Sequence, residues 1–320
     1  MHLVQSMAYV NDVPWHGLGQ RLAPNQPIEI WASQAGMDWS IEASPVLYDR
    51  GLDADVSFPF PGQKVLFRSD TKAPLAIVSD RYHVVQPSEI LEFYRDLTDV
   101  GGFELETAGV LKEGKKFWAL ARTGQSVTLR GRDQVNGYLL LATACDGTLA
   151  TTAQFTSVRV VCQNTLSIAL NRDAGAVKVP HRSRFDAQAV KAQLGIAIES
   201  WDDFMVRMKA LSECRVNAKT TEAFLQRVLT YPSGSTSDQK AAVINDRTIN
   251  TVHELFSGRG KGAGMTSAWN TAWGLVNSVT EFVDHHRRAR SAGHRLDAAW
   301  FGQGADIKKR AWDEALALLG

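Results

Sequence analysis

Four groups of residues in this chain have types and spacing that could do chemistry. The first is Arg159-Val-Val-Cys-Gln-Asn-Thr-Leu-Ser-Ile-Ala-Leu170. Val158–Cys162 reads as a buried strand that runs into a helix over Asn164–Asn171, with Gln163, Asn164 and Thr165 as the polar corner between them. A strand-to-helix corner presents free backbone N–H groups at a positive helix end, which attracts an anion. The second group is Gly258-Arg-Gly-Lys-Gly-Ala-Gly264. Its accessible N–H groups, with Arg259 and Lys261, could wrap a phosphate. It lacks the Gly-Lys-Ser/Thr ending of a nucleotide-binding P-loop and no strand precedes it, so the expected role is a link between helices, with contact to nucleic-acid phosphate and, behind it, nucleotide binding as the alternatives. The third group is Glu281, Asp284 and His285, with His286 and His294 nearby. Glu281 and His285 lie one helical turn apart and could share a metal. No His-Glu-x-x-His pattern accompanies them, so a polar helix face is the simpler account, and no cofactor is expected.

The fourth group interleaves aromatic and basic side chains: Lys115-Lys116-Phe117-Trp118, Arg81-Tyr82-His83 and Arg182-Ser-Arg184-Phe185. Single-strand binders stack bases on rings while cations follow the phosphates. Adjacent strand residues face opposite sides, so one of Phe117 and Trp118 belongs to the core. Cys162 could act as a thiol nucleophile with His83 or His181 as its base. A cysteine ending an apolar strand is more often packing.

The elements that must position these groups follow from periodicity and punctuation. Residues 1–75 read as an N-terminal arm of short strands and loops, broken by Pro14, Pro24, Pro27, Pro45, Pro59, Pro61 and Pro74, with one helix near Ile28–Ala35. The Trp15-His16-Gly17-Leu18-Gly19 turn lies within it. Residues 76–184 read as an α+β core. Ala76–Val85 is a strand or hairpin, and a helix capped by Ser88 ends at Gly101-Gly102. Strands follow at Phe103–Leu111, Lys116–Arg122, Ser126–Arg130, Gly137–Ala144 and Thr148–Phe155, with an Asp146-Gly147 hairpin signal between the last two. Residues 185–320 read as helical: Phe185–Leu211, Thr220–Leu229 with Thr221 as cap, Lys240–Phe256, Thr266–Arg288 and Ala305–Leu319, with a polar linker near 231–238. The expected fold class is α+β, a central, mainly antiparallel sheet flanked by helices, with a helical C-terminal half.

Composition narrows the partners. The 320 residues carry a net charge of +1 and are 44% hydrophobic, as a globular protein would be. No apolar run approaches the roughly 18 residues of a membrane span. The opening Met1-His-Leu-Val-Gln-Ser-Met7 has neither a basic nor an apolar signal region, and three widely spaced cysteines suit a reducing cytoplasm. The charge is unevenly spread. Residues 1–60 hold two arginines against seven acids, whereas 107–132 hold six basic residues against Glu113 alone and 257–295 hold six against Glu281 and Asp284. A local basic face is therefore expected, built from Lys112, Lys115, Lys116, Arg130, Arg132, Arg182, Arg184, Arg259 and Lys261.

Trp15-His-Gly-Leu-Gly19, Val160-Val-Cys-Gln-Asn-Thr-Leu166, Thr280-Glu-Phe-Val-Asp-His-His286, Arg295-Leu-Asp297 and Trp300-Phe-Gly302 occur in this order along nearly the whole chain. As a set they resemble the phage/plasmid-like protein family, domain of unknown function 932. The resemblance implies a mobile-element setting in a bacterial host cell and carries over no catalytic residues. The expectation is a nucleic-acid-binding protein without enzymatic activity: an oligomeric single-strand DNA binding or annealing protein of recombination or replication, in the cytoplasm. Two alternatives stay open. One is a phage interaction protein that inhibits a host defence system through the acidic, aromatic N-terminal part. The other is a metal-dependent enzyme acting on nucleic acid through Glu281, Asp284 and His285.

Overall fold

The computed structural model describes the chain except residues 1–3, 12, 15–16, 52–56, 100–101, 162–163, 168–175, 197–198 and 231–245. The elements run β1 (Val4–Tyr9), β2 (Gln20–Arg21), α1 (Ile28–Gln34), β3 (Ile41–Asp49), β4 (Ser57–Arg68), β5 (Pro74–Ser79) and α2 (Pro87–Asp99). A meander follows: β6 (Glu104–Leu111), β7 (Lys116–Leu129), β8 (Asp133–Ala144) and β9 (Thr151–Arg159), then the short β10 (Asn164–Ser167) and β11 (Ala176–Val179). The rest is helical: α3 (Ala187–Ile196), α4 (Glu199–Glu213), α5 (Ala218–Leu229), α6 (Asp246–Glu254), α7 (Ala272–Glu281), α8 (Ala292–Phe301) and α9 (Gln303–Leu316). Single π-helical turns extend α6 over Leu255–Arg259 and α7 over Phe282–His286. No helix among the described residues is long and apolar enough to cross a membrane.

The main sheet has the order β10-β9-β8-β7-β6-β1-β2, with β11 sharing the outer edge of β9 with β10. All pairs are antiparallel except β1–β2. β3, β4 and β5 form a separate antiparallel sheet. The meander turns follow local chemistry. Lys112, Glu113 and Gly114 take positive φ at the β6–β7 turn. At the β8–β9 turn the Asp146 carboxylate accepts from the Thr148 N–H and hydroxyl, with Gly147 at φ +76.

The middle of this sheet is buried on both faces, so β7 and β8 read as nearly continuous apolar runs. One face carries Phe117, Ala119, Leu139 and Leu141 into the principal core with Tyr94 of α2 and Trp201 and Phe204 of α4. The Tyr94 hydroxyl reaches the carbonyls of Ala119 and Leu139, at 3.0 and 2.9 Å. On the opposite face Trp118, Leu120, Tyr138 and Leu140 meet Leu296 of α8, and Trp118 packs edge-on against Trp300. α8 covers only part of this second face. Toward the β7–β8 turn the same face exposes Ser126, Thr128 and Gln134.

Several expectations need correction. Asn164 and Thr165 begin a strand, not a helix, because the unpaired edge of β9 offers a ladder there: Asn164 pairs with Arg159 and Thr165 with Val158. Val160 and Val161 lie in a turn, so β9 ends at Arg159; Cys162, Gln163 and the Trp15-His16 start of the Trp15–Gly19 turn lie outside the described residues. The single helix expected over 185–211 is two, α3 and α4. α5 is capped by Asn217, whose side chain accepts from the Thr220 N–H, rather than by Thr221. α7 starts at Ala272 under a Thr271 cap, since residues 260–270 are turns and bends and Thr271 pairs in an isolated bridge with Arg215. α8, capped by Ser291, was not anticipated. β1, from the expected arm 1–75, hydrogen-bonds to β6 in the main sheet.

Candidate nucleic-acid interface

The two places expected to attract an anion both hold one supplied by the chain itself. The Thr165 N–H and hydroxyl donate to Asp284 Oδ2 at 2.8 and 3.1 Å. Lys308 Nζ completes the group at 3.0 Å from Asp284 Oδ1 and 2.8 Å from Thr165 Oγ1. In the Gly-rich turn the Lys261 N–H donates to both carboxylate oxygens of Glu281, at 3.1 and 3.0 Å. Asp284, Lys308 and Glu281 are all buried. The expected metal group therefore divides. Asp284 faces Lys308 and Glu281 faces the Gly-rich turn, while the His285 carbonyl accepts from Arg295. Among the described residues no three His, Cys, Asp or Glu side chains could hold a metal ion. Of the two histidines considered as bases, His181 is engaged. The His181 ring nitrogens contact the carbonyls of His83 and Leu149.

The nine expected phosphate-contacting cations fall at the two ends of β7, which at about 3.3 Å per residue stand roughly 40 Å apart. At the β6–β7 end, Lys112 and Lys116 both pair with Asp297, at 3.0 and 2.5 Å. Burial pulls the Lys116 ammonium below its ordinary value, although Asp297 opposes the shift. Burial raises the Asp297 carboxyl, but the two lysines outweigh it and hold it below the usual value. Lys112 and Lys116 are thus committed to packing α8 onto the sheet. Lys115 is half-buried there, and Arg182 and Arg184 are exposed just after β11.

The other end assembles a surface. Arg130 and Arg132, exposed in the β7–β8 turn, precede the buried Asp133. Asp133 forms a two-pronged pair with the buried Arg159, at 2.7 and 2.8 Å, and accepts from Ser267 and from the Trp273 indole N–H. Arg159 also donates to the carbonyls of Gly262 and Lys261, at 3.1 and 3.4 Å. One buried ion pair therefore fastens the start of β8, just after the β7–β8 turn, to the Gly-rich turn. Arg259 pairs with Glu254, and Lys261 is exposed.

Three features of this end were not identified from sequence. Arg130 reaches the Ser212 carbonyl at the end of α4, which brings in Arg215. Arg215 donates to the carbonyl of Trp269. The Trp269 ring is 48% exposed and lies beside Gly258. Glu281 stands 3.8 Å from His286, which lines an open cavity of about 820 Å³ with Arg247, Arg287 and Arg288. The excess of basic residues over 257–295 was visible in the sequence; that α6 and α7 bring Arg247 to it was not.

On the open half of the second face, Tyr138, Glu106 and Arg122 form a polar cluster. The Tyr138 hydroxyl lies 3.0 and 3.1 Å from the Glu106 oxygens, and Arg122 pairs with Glu106 at 3.0 Å. Burial pushes the Tyr138 phenol well above its ordinary value, so it stays a neutral donor. These side chains line a groove of about 300 Å³ that ends against Trp300.

No curated protein and no solved structure matches the chain. A family model described as a domain of unknown function, DUF932, matches residues 74–300, from β5 through the meander and the Gly-rich turn into α8. The chain belongs to the DUF932 family.

Proposed function

We propose that the protein binds single-stranded nucleic acid, DNA foremost, across the β7–β8 end of the sheet, and serves recombination or replication in a mobile-element setting as a binding or annealing protein. The observation that carries this reading is the buried Arg159–Asp133 pair. It joins the start of β8, just after Arg130 and Arg132, to the Gly-rich turn that carries Lys261, with Arg215 and the exposed Trp269 at the same end. Cations following phosphates beside a ring on which a base can stack are the ingredients of sequence-tolerant single-strand binding. Neighbouring copies in an oligomer would lengthen the track.

The test is fluorescence anisotropy of labelled single and double strands over a range of salt. Each phosphate neutralised on a single strand contributes about −0.7 to the slope of log K against log salt, so four cations give roughly −3. Arg130→Ala with Arg132→Ala should flatten the slope by about half and weaken all sequences alike. Lys112→Ala, which removes a cation already paired with Asp297, should leave the slope unchanged. An absence of binding to any single strand at low salt overturns the reading.

A second reading has an observation of its own. Tyr48 and Phe60 are exposed on one face of β3 and β4, their rings 6.4 Å apart, an apolar surface suited to a protein partner such as a host defence component. If a partner docks there, Tyr48→Ser with Phe60→Ser abolishes its stoichiometric recovery from host lysate. Unchanged recovery removes this surface from consideration.

A further inference from the structure

The open cavity of about 820 Å³ lies between α6, the π-helical turn of α7 and the start of α9. Arg247 reaches it from the first turn of α6, and His286, Arg287 and Arg288 from the end of the π-helical turn and just past it. Arg247, His286 and Arg288 are exposed and Arg287 is partly so, which leaves all four open to an ion from solvent. Among the described residues no Asp or Glu lines this cavity; Asp246 and Asp306, on the same helices, do not reach it. Arg287 donates to the neutral Gln303 Oε1 at 2.7 Å, and Arg247 and Arg288 form no ion pair among the described residues. Glu281 stands 3.8 Å from His286, but it is buried and accepts from the Lys261 N–H with both oxygens.

Elsewhere in the helical half the chain answers its cations itself: Arg227 with Glu314, Arg259 with Glu254, Lys308 with Asp284 and Lys309 with Asp313. Here three guanidinium groups and an imidazole converge with no carboxylate among them. A cleft lined by one sign of charge concentrates ions of the other sign. Phe282 and Ile307, both buried, form an apolar floor, and a charge pair above such a floor is stronger than one in open water. The π-helical turn delivers the cluster: the Arg287 N–H donates to the Phe282 carbonyl, at 2.7 Å, where an α-helix would have used the residue after it. Turns of this kind recur at functional sites. The volume falls within the roughly 300–1,000 Å³ of small-ligand sites. Arginine forks match phosphate oxygens two at a time.

We propose that this cavity binds a compact, multiply charged phosphate group, carried by a free nucleotide or by the end of a nucleic-acid strand. Arg247 from α6, and Arg287 and Arg288 from beyond α7, take its oxygens. The site goes beyond the strand-binding reading above, because it needs none of Arg130, Arg132, Lys261 or Trp269.

The first probe is tripolyphosphate, titrated calorimetrically into the full-length protein. It should bind saturably, at least about tenfold more tightly than sulfate. Arg247→Gln with Arg288→Gln, both exposed, should weaken it by about tenfold or more while the urea midpoint holds. Arg130→Ala with Arg132→Ala should leave it unchanged. If the double variant fails to fold, Arg288→Gln alone carries the same comparison. Two further arms separate the sources: a nucleoside triphosphate against its nucleoside, and a 5′-phosphorylated strand against the same strand with a 5′-hydroxyl. A gain from the terminal phosphate that the double variant loses assigns the site to strand ends. Saturable triphosphate binding without that gain assigns it to free nucleotides. Tripolyphosphate that binds no better than sulfate, or equally well to the folded variant, overturns the site. If strands fail to bind while tripolyphosphate binds, the strand reading falls and the cavity stands.

Discussion

At the scale of single residues, the chain meets its buried cations and free N–H groups with its own carboxylates. Asp284 serves Thr165 and Lys308, Glu281 the Lys261 N–H, Asp133 Arg159, and Asp297 Lys112 with Lys116. A buried charge without a partner is costly, whereas the intact pair is worth little beyond an apolar replacement. Asp284→Asn should therefore destabilise by about 3–5 kcal/mol, and pairing an apolar replacement of Asp284 with Lys308→Met should recover most of the loss. Urea midpoints measure both, and a single variant costing under about 1 kcal/mol would contradict the argument. Acidification adds a second expectation. The hydrogen bonds from Arg68 hold the Asp70 carboxyl down at about 2, against 3.8 ordinarily. The unfolded chain then binds more protons than the folded one between those values, so stability is full above pH 4 and is lost as pH falls toward 2. Asp70→Asn should shallow that part of the pH profile; an identical profile refutes the assignment.

At the scale of elements, what was legible in the sequence was whatever local chemistry decides. The meander from Phe103 to Phe155 follows from its strand-length apolar runs and from Asp146-Gly147, and α5 and α9 from their apolar spacing. β10 was misread because Asn164–Leu170 has helical spacing, while its fate is settled by the free edge of β9 and by Asp284, 119 positions away. Two of the nine expected cations were spoiled in the same way, since Asp297 lies in a helix that periodicity did not reveal. The tie between β8 and the Gly-rich turn depends on Arg159, whose partners Asp133 and the Lys261 and Gly262 carbonyls lie far from it in sequence. α7 shows the reverse case, in which tertiary packing overrides propensity. Alanine normally favours a helix over glycine by about 0.5–1 kcal/mol. At Gly274, however, a Cβ would stand 2.0 Å from the Ala268 carbonyl oxygen. Gly274→Ala should destabilise by about 2 kcal/mol or more, since backbone must move. Loss of the cap in Thr271→Ala should cost only about 1 kcal/mol. Thermal melts of the two variants in the opposite order would refute this account of the helix start.

At the scale of the molecule, the sheet and the helical half are one packing unit. A single cluster of buried side chains runs from Ala8 and Trp31 through Phe117 and Leu139 to Trp273, Trp312 and Ala315. Arg159 is the polar counterpart of that continuity, because it binds Asp133 of the sheet and two carbonyls of the Gly-rich turn at once. Arg159→Met keeps the volume but strands Asp133, which is fully buried with Ser267 and Trp273 as the side chains left to donate to it among the described residues. The cost should be several kcal/mol, of the order of about 3–5, because one charge of a buried pair loses its partner. The distribution of that cost separates two pictures. If the pair only stabilises, unfolding shifts to lower denaturant and binding by the remaining folded protein is intact. If it also holds the two turns in register, native-state hydrogen exchange at residues 260–265 should rise ahead of the sheet. The salt slope of strand binding should then shrink as in the Arg130 and Arg132 variant, although no surface cation has been removed. Unchanged exchange and an unchanged slope in folded Arg159→Met would show that the cationic surface does not depend on the pair beneath it.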